Sequence, residues 1–247
     1  MVVVASANIL YTLGREDART ALGQVLGAGP DLVGLQEWYV SRLGLLREHG
    51  DVRVVPGGRL GASRRSAYHF VSAVGGGNVV GARADRFDLV SASAPWLSRI
   101  GRSDRPDRLL RTEPPREATV GVYRDRRTGG TVAVVSYHLV SGGTTADGYR
   151  ADRPVLARRH RDEVRRLERL VAGLQRAGHV VHAVGDANYD LLRLTGLTSA
   201  WQGREDHAGT IGTGTRKIDD VHGPGPATDV RLLTTPSDHR AVIATRD

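Results

Sequence analysis

A series of short apolar runs in this chain each stop or start at a polar side chain able to do chemistry, and that arrangement restricts the folds open to it. Val2-Val3-Val4-Ala5-Ser6-Ala7 leads to Asn8, and Asp31-Leu32-Val33-Gly34-Leu35-Gln36 leads to Glu37. Thr131-Val132-Ala133-Val134-Val135-Ser136-Tyr137 delivers His138, and Val180-Val181-His182-Ala183-Val184 runs into Gly185-Asp186-Ala187-Asn188. Lys217-Ile218 precedes Asp219 and Asp220, and Ser237-Asp238-His239 comes just before Ala241-Val242-Ile243-Ala244. Runs of this length and apolarity read as buried strands. A side chain at a strand end is held rigidly while it faces a cleft. One edge of a sheet structure should therefore gather a carboxamide, several carboxylates and imidazoles.

Helical periodicity predicts fewer elements. Ala18, Leu22, Val25 and Leu26 lie at helical spacing between Arg15 and Leu26, and Gly27 with Gly29-Pro30 ends the pattern. Tyr39 to His49 reads as a short second helix closed by Gly50. Short strands follow over 52–55, 67–74, 78–83 and 87–91, divided by glycines in the manner of a meander, and then over 119–123 and 131–137. The clearest helix runs from Pro154 to Arg176, with proline in its first turn and Gly178 closing it. Val164, Leu167, Val171 and Leu174 form its apolar stripe. Arg158, Arg159, Arg161, Arg165, Arg166 and Arg169 cover the rest, and with Glu163 and Glu168 they read as a solvated outer face. Many strands in hairpin order with two or three amphipathic helices predict two packed sheets flanked by helices. No linker or repeat divides the chain, so one domain over 1–247 is expected.

Composition narrows the partners. The net charge of +8 is carried by arginine, because Lys217 is the only lysine, a bias that a GC-rich coding sequence would also produce. The charge fits attraction to nucleic acid, phosphorylated lipid or sugar phosphate. Long polar loops are expected at 56–66, 98–116, 141–153 and 203–216. They carry Arg59, Arg64, Arg65, Arg99, Arg102, Arg105, Arg108, Arg111, Arg150, Arg153 and Arg216, better placed for substrate than the helix arginines. Aromatics in or beside these segments are few (Trp96, Tyr149, Trp201), so no platform for stacking single strands is expected. Absent cysteine excludes disulfides. No apolar stretch reaches the ~18 residues of a membrane span. The chain enters a strand at once with no visible signal peptide, so a cytoplasmic monomer is expected, although a removed leader with Met1 restored would look the same.

Gln36-Glu37, Gly185-Asp186-Ala187-Asn188 and Ser237-Asp238-His239, in this order, resemble the motifs of the endonuclease/exonuclease/phosphatase superfamily, the deoxyribonuclease I-like proteins. Gly77-Asn78-Val79-Val80-Gly81 with Arg86-Phe87, and Pro115-Arg116, are softer matches. The resemblance runs from Asn8 to Ala244 and implies a four-layer α/β/β/α sandwich of two mixed sheets. It also implies a phosphoester hydrolase dependent on Mg²⁺ or Mn²⁺, consistent with oxygen-rich ligands. Glu37 would be the first metal ligand, with Asn8 beside it and Asp238 close by. Asp186 would be the general base, with Asn188 orienting the water or a phosphate oxygen. Asp219 would hold His239 in one tautomer, and protonated His239 would stabilise the developing charge. The alternative makes His239 the base and Asp186 a second ligand. His138 would bind a phosphate oxygen or protonate the leaving group, and Arg116 is a further electrostatic candidate.

Two departures bear on the family comparison. Asp220 stands where a tyrosine or similar residue is expected after the Ile-Asp pair, and it would bind a second metal or face solvent. The stretch Ser66-Ala67-Tyr68-His69-Phe70 lacks the glutamate that pairs with the strand-end histidine in deoxyribonuclease I-like members, which weakens a proton relay through His138. His49, His69, His160, His179, His182, His207 and His222 read as structural or surface residues. Nucleic acid is the first expected substrate, followed by a phospholipid, inositol phosphate or small phosphate ester. A catalytically silent binding protein on the same fold is the rival of another class.

Overall fold

The computed structural model describes residues 1–247 apart from 57–58, 61–65, 76, 109, 191 and 205–206, with the backbone alone at 59–60. Arg64 and Arg65 therefore lie outside the described residues, as does the side chain of Arg59. Two mixed sheets stack face to face. The first runs, in spatial order, Asp229–Leu233, Ala241–Arg246, Val2–Asn8, Leu32–Gln36, Val79–Arg83, Tyr68–Ala73, Gly50–Val55 and Arg59–Leu60. The second runs Thr198–Ser199, Asp219–Gly223, Val180–Asp186, Thr131–His138, Arg116–Asp125 and Phe87–Ser93, with Trp96–Ser98 also on Arg116–Asp125.

Alternation along the strands sorts side chains into layers. Val4, Leu32, Val71, Val80, Val134, Val184, Val221 and Val242 meet between the sheets. Their neighbours Ala5, Val33 and Phe70 face outward onto Ala18, Ala21, Leu22 and Val25 of the Arg15–Gly27 helix. On the far side Ala133, Val135, Val181 and Ala183 receive Leu167 and Val171 of the Pro154–Arg176 helix. Central strands covered on both faces read as continuous apolar runs, which is why they are so visible in the sequence. The sandwich is thus helix, sheet, sheet, helix.

Each sheet contains one parallel pair joined by a helix, and those two units place the site. Val2–Asn8 and Leu32–Gln36 are parallel, with Asn8 opposite Gln36, across the Arg15–Gly27 helix. Thr131–His138 and Val180–Asp186 are parallel, with His138 opposite Asp186, across the Pro154–Arg176 helix. The carboxyl ends of both units open at the same edge of the sandwich. There the sheets close tightly: a Cβ on Gly34 would lie 2.1 Å from Val184 Cγ2. Gln36 Nε2 donates to Ser136 Oγ across the gap at 2.9 Å.

Several expectations need correction. The 50–91 region is not a simple meander, because Gly50–Val55 pairs parallel with Tyr68–Ala73. The 56–66 connection is long enough to carry the chain across, and its Arg59–Leu60 strand pairs antiparallel with Val52 and Arg53. The second helix is shorter than Tyr39–His49. It is a 3-10 turn over Val40–Arg42 followed by Leu43–Arg47. Arg42 is withdrawn from solvent to donate to the carbonyls of Ile9, Leu10 and Leu13, which fixes the loop after Asn8. The 98–116 and 141–153 loops hold small hairpins, Gly101–Arg102 with Thr112–Glu113 and Thr144–Thr145 with Gly148–Tyr149. Glu163 is not on a solvated face. It is fully buried, taking Ser98 Oγ at 2.6 Å, Val140 N–H at 2.7 Å and Arg159 at 3.0 Å. No helix among the described residues is long and apolar enough to cross a membrane.

Candidate active site

The strand ends bring Asn8, Glu37, His138, Asp186, Asn188, Asp219 and His239 to one place. Glu37, directly after its strand, and Asn188, two residues after its own, lie in the left-handed backbone region at φ 57° and 50°. A glutamate there is uncommon, and such conformations cluster at functional sites. The turn aims Glu37 into the cleft, where one carboxylate oxygen takes the Tyr11 N–H at 2.9 Å. Gly185 precedes Asp186 because any Cβ there would sit 2.0 Å from the Tyr137 carbonyl oxygen. Ser237 stitches the last strand to the first, donating to the Asn8 carbonyl at 2.8 Å and accepting the Leu10 N–H at 3.0 Å.

Asp186 is the centre of the polar network. Asn8 Nδ2 donates to its Oδ2 at 3.0 Å and Asn188 N–H to its Oδ1 at 2.6 Å. His138 Nε2 lies 3.5 Å from Oδ2. On the neighbouring antiparallel strand Asp219 is directly opposite Asp186, and its Oδ2 binds His239 Nδ1 at 2.8 Å. Thr210 Oγ1 receives the N–H groups of Ile218 and Asp219, fixing that strand end. Asn188 donates from Nδ2 to the Leu139 carbonyl at 3.1 Å, and its own carbonyl accepts from Thr144 Oγ1.

The electrostatics set these groups apart. Burial, then the nearby Asp219 charge, raises the Asp186 pKa to about 7, against the lowering effect of His239 and the donors Asn188 and Asn8. Burial alone would depress His239. The Asp219 hydrogen bond and the charges of Asp219, Asp186 and Asp238 outweigh it and lift His239 to about 10. His138 moves the other way. Burial, then Arg116 and His239, holds it well below its ordinary value, so it is neutral. At neutral pH the arrangement offers an imidazolium at His239, a neutral imidazole at His138 and a carboxyl at Asp186 poised to exchange a proton.

A cleft of about 360 Å³ opens onto this network, with Glu37, His138, Asp186, Asn188 and His239 on its floor. Arg108, Arg116 and Ser141 form one wall, and Tyr11 and Tyr39 form another, their rings edge-on at 6.2 Å. Asp238 does not line the cleft. It is exposed, with Oδ1 3.3 Å from Ser237 Oγ, and reaches the site through its charge on His239. Asp220 neither faces solvent nor offers a free oxygen: it is buried and takes Ser199 Oγ, Ala200 N–H and Val221 N–H.

Sequence reasoning misses Tyr11 and Tyr39 as cleft residues, names Arg108 only as one of many loop arginines suited to substrate, and leaves His160 as structural. His160 lies on the long helix, and its Nε2 is 2.7 Å from the carbonyl of Ala187, between Asp186 and Asn188. A carbonyl only accepts, so Nε2 carries the proton and Nδ1 accepts from Tyr149 OH at 3.1 Å. This relay fastens the 141–153 hairpin and the helix to the Asp186–Asn188 turn.

The donor set fits a hard divalent cation. Asn8 Oδ1 is buried without a hydrogen-bond partner, and Asn8 pairs in register with Gln36, the residue before Glu37, so two oxygen donors of the kind Mg²⁺ accepts stand at neighbouring strand ends. Asp186, Asp219 and His239 form a second group whose ligand atoms lie within 4.8 Å of one another. The hydrogen bond to Asp219 already occupies His239 Nδ1, and the raised pKa keeps the ring protonated, which disfavours it as a ligand.

No protein-family profile matches the chain, and no curated protein resembles it in sequence. Solved structures do resemble it in fold. A mannosyl-6-phosphatase from Bacteroides thetaiotaomicron superposes with a TM-score of 0.67 at 19% identity, covering 99% of this chain and 98% of that one. TDP2 from D. rerio, complexed with a single-strand DNA product, gives 0.66 at 16% identity over 98% and 97% of the two chains. The human Nocturnin catalytic domain with bound sulfate gives 0.60 at 17% identity over 98% and 92%. The chain therefore has the endonuclease/exonuclease/phosphatase, deoxyribonuclease I-like fold.

Proposed function

We propose that this protein is a metal-dependent phosphoester hydrolase that cleaves a phosphodiester with an activated water, its first substrate class being nucleic acid. The observation that carries the reading is the Asp186 carboxyl, gripped by Asn8 and Asn188 and set opposite the Asp219–His239 pair at the floor of a cleft. Glu37 and the free Oδ1 of Asn8 would hold Mg²⁺ or Mn²⁺. When bound, the ion supplies positive charge to the phosphate oxygens.

The chain's own residues do the rest. Asp186 takes the proton of the attacking water as its oxygen bonds to phosphorus and the ester P–O bond breaks, the departing oxygen taking a proton from solvent in the open cleft. His239, protonated and held through Nδ1 by Asp219, presents Nε2–H to a phosphate oxygen on which charge develops. Neutral His138 is a poor acid for the leaving group and suits hydrogen bonding to a phosphate oxygen. Asn188 holds the Asp186 turn, and Arg116 adds charge beside His138. This division favours Asp186 over His239 as the base, because a ring protonated up to about 10 cannot accept the water's proton.

The arginine wall favours a polyanion. The modest cleft volume favours a second reading, a phosphatase for a small phosphate ester, and the mannosyl-6-phosphatase neighbour belongs with that reading. Hydrolysis of plasmid DNA, single-stranded DNA, RNA, inositol phosphates and sugar phosphates with Mg²⁺, Mn²⁺ or EDTA tests both. Metal-dependent cleavage of one class, lost in Asp186→Asn and His239→Ala, is expected. Full activity in EDTA or in Asp186→Asn contradicts the proposal, and an inert protein that binds one of these ligands fits the silent alternative.

A further inference from the structure

The arginine wall of the cleft has an organisation that cleavage of a single phosphate does not require. Glu113 is fully buried, and a buried carboxylate needs compensation. Ser103 Oγ donates to its Oε1 at 2.7 Å. Two guanidinium groups lean on the same oxygen through Nε, Arg105 at 3.5 Å and Arg108 at 3.6 Å. One negative charge thus faces two positive charges, and the wall keeps a cation in excess.

The two arginines are used differently. Arg105 is largely enclosed and donates from Nη2 to the carbonyl and Oγ of Ser141, so its fork is engaged within the protein. The Arg108 side chain is 40% exposed and lines the cleft, and Glu113 is its charge partner among the described residues. Its stem nitrogen rests near a fixed buried anion while the rest of its fork meets the cleft. A guanidinium held this way suits two-point binding of a phosphate. Arg116 lies on the same wall, close enough for its charge to act on His138. The cleft therefore has two cationic positions, Arg116, whose charge reaches His138, and Arg108, whose charge partner is Glu113.

We infer that Arg108, backed by Glu113 and Arg105, is a binding position for a second phosphate of the substrate, next to the one cleaved. The inference rests on the phosphoester hydrolase reading and sharpens it. The preferred substrate carries at least two phosphates in reach of one another, as in a nucleic acid strand or a sugar bisphosphate.

Affinity measured by titration in EDTA, where no ester is cleaved, tests this apart from catalysis. Thymidine 3′,5′-bisphosphate and thymidine 5′-monophosphate are compared at fixed low salt on wild type, Arg108→Gln and Arg108→Lys. Wild type should bind the bisphosphate at least about tenfold more tightly, the scale of one charged hydrogen-bonded contact. In Arg108→Gln the two affinities should converge, and Arg108→Lys should restore part of the difference. No bisphosphate advantage in wild type, or one that survives in Arg108→Gln, overturns the inference. Fructose 1,6-bisphosphate and a short single-stranded oligonucleotide, run in parallel, show which source of the second phosphate is preferred. Turnover of bis(p-nitrophenyl) phosphate with Mn²⁺ judges the hydrolase reading separately, since a binding advantage without turnover fails that reading alone.

Discussion

At the edge of the sandwich away from the cleft, Arg86 is buried against two carboxylates, and its surroundings are complete. It donates to Asp125 through Nη2 at 2.8 Å, meets Asp31 at 3.2 Å and donates to the Met1 carbonyl at 3.2 Å. Burial alone would raise the Asp125 pKa, but the Arg86 bonds and the Arg127 N–H reverse it, and the carboxyl ends below its ordinary value. At the cleft edge Asp186, a carboxyl of similarly low exposure that lies deeper in the protein, has no arginine. Its donors are a carboxamide and one backbone N–H, and burial wins. Asn8 Oδ1 and Asp219 Oδ1 are buried there without partners. The same sheets therefore carry a closed charge cluster that supports the fold and an open one with unspent valences. Unsatisfied buried polar atoms are costly, so the open cluster should be an activity feature maintained against stability.

Opposed mutations break that comparison most sharply. Asp186→Asn should lower turnover by about 10³-fold, within the range for loss of a general base. It should also raise Tm by about 2–4 °C or more, because it removes a buried charge repelled by Asp219. Asp125→Asn should do the reverse. It takes from buried Arg86 the closer of its two carboxylates and leaves Asp31, so stability should fall by up to about 3–5 kcal/mol, while turnover per folded molecule is unchanged. Denaturant unfolding alongside initial rates checks both, and a destabilised Asp186→Asn would refute the contrast.

Acidity gives a smaller effect. Burial, then Arg246, holds His182 down at about 3, and His160 and His222 are lowered chiefly by burial. A histidine depressed in the folded state is protonated first in the unfolded chain. Its stability is fully present above about 6.5 and is lost as pH falls toward the folded pKa. Each such group costs ~1.4 kcal/mol per pH unit below that value while the folded form stays neutral. Urea midpoints at pH 7 and 5 should show the loss, and His182→Gln should flatten the slope. Smallest of all, His160→Ala should lower kcat by about tenfold, roughly one hydrogen bond's effect, by freeing the Ala187 carbonyl. His160→Gln should restore part of it, and an unchanged kcat would make the relay merely structural.

The parts of the site legible in the sequence are those bound to strand ends. Asn8, Glu37, His138, Asp186, Asn188 and Asp219 stand at or after strand segments and His239 before one, and the parallel pairing of the two units brings these strand ends to one edge. Apolar runs and a few amphipathic helices made two packed sheets flanked by helices legible, and the family resemblance supplied the four-layer order. What stayed hidden depends on distant partners. Nothing local marks Tyr11 as a cleft residue, since its place is set by Arg42 reaching the carbonyls on either side. Glu163 looks like a helix-surface charge until Ser98 and the Val140 N–H are brought to it by the sheet. Arg108 is one arginine among many until buried Glu113 singles it out. The parallel pairing of Gly50–Val55 depends on a crossover that residue patterns do not encode.

The central claim is that the Asp186 network, with a divalent ion at Glu37 and Asn8, hydrolyses phosphoesters. The most direct measurement is the initial rate on bis(p-nitrophenyl) phosphate with Mn²⁺ and then excess EDTA, for wild type and Asp186→Asn. Wild type should turn the ester over, EDTA should abolish that turnover and added Mn²⁺ restore it, and Asp186→Asn should stay near background in both. Turnover that persists in EDTA, or that Asp186→Asn retains, would contradict the claim.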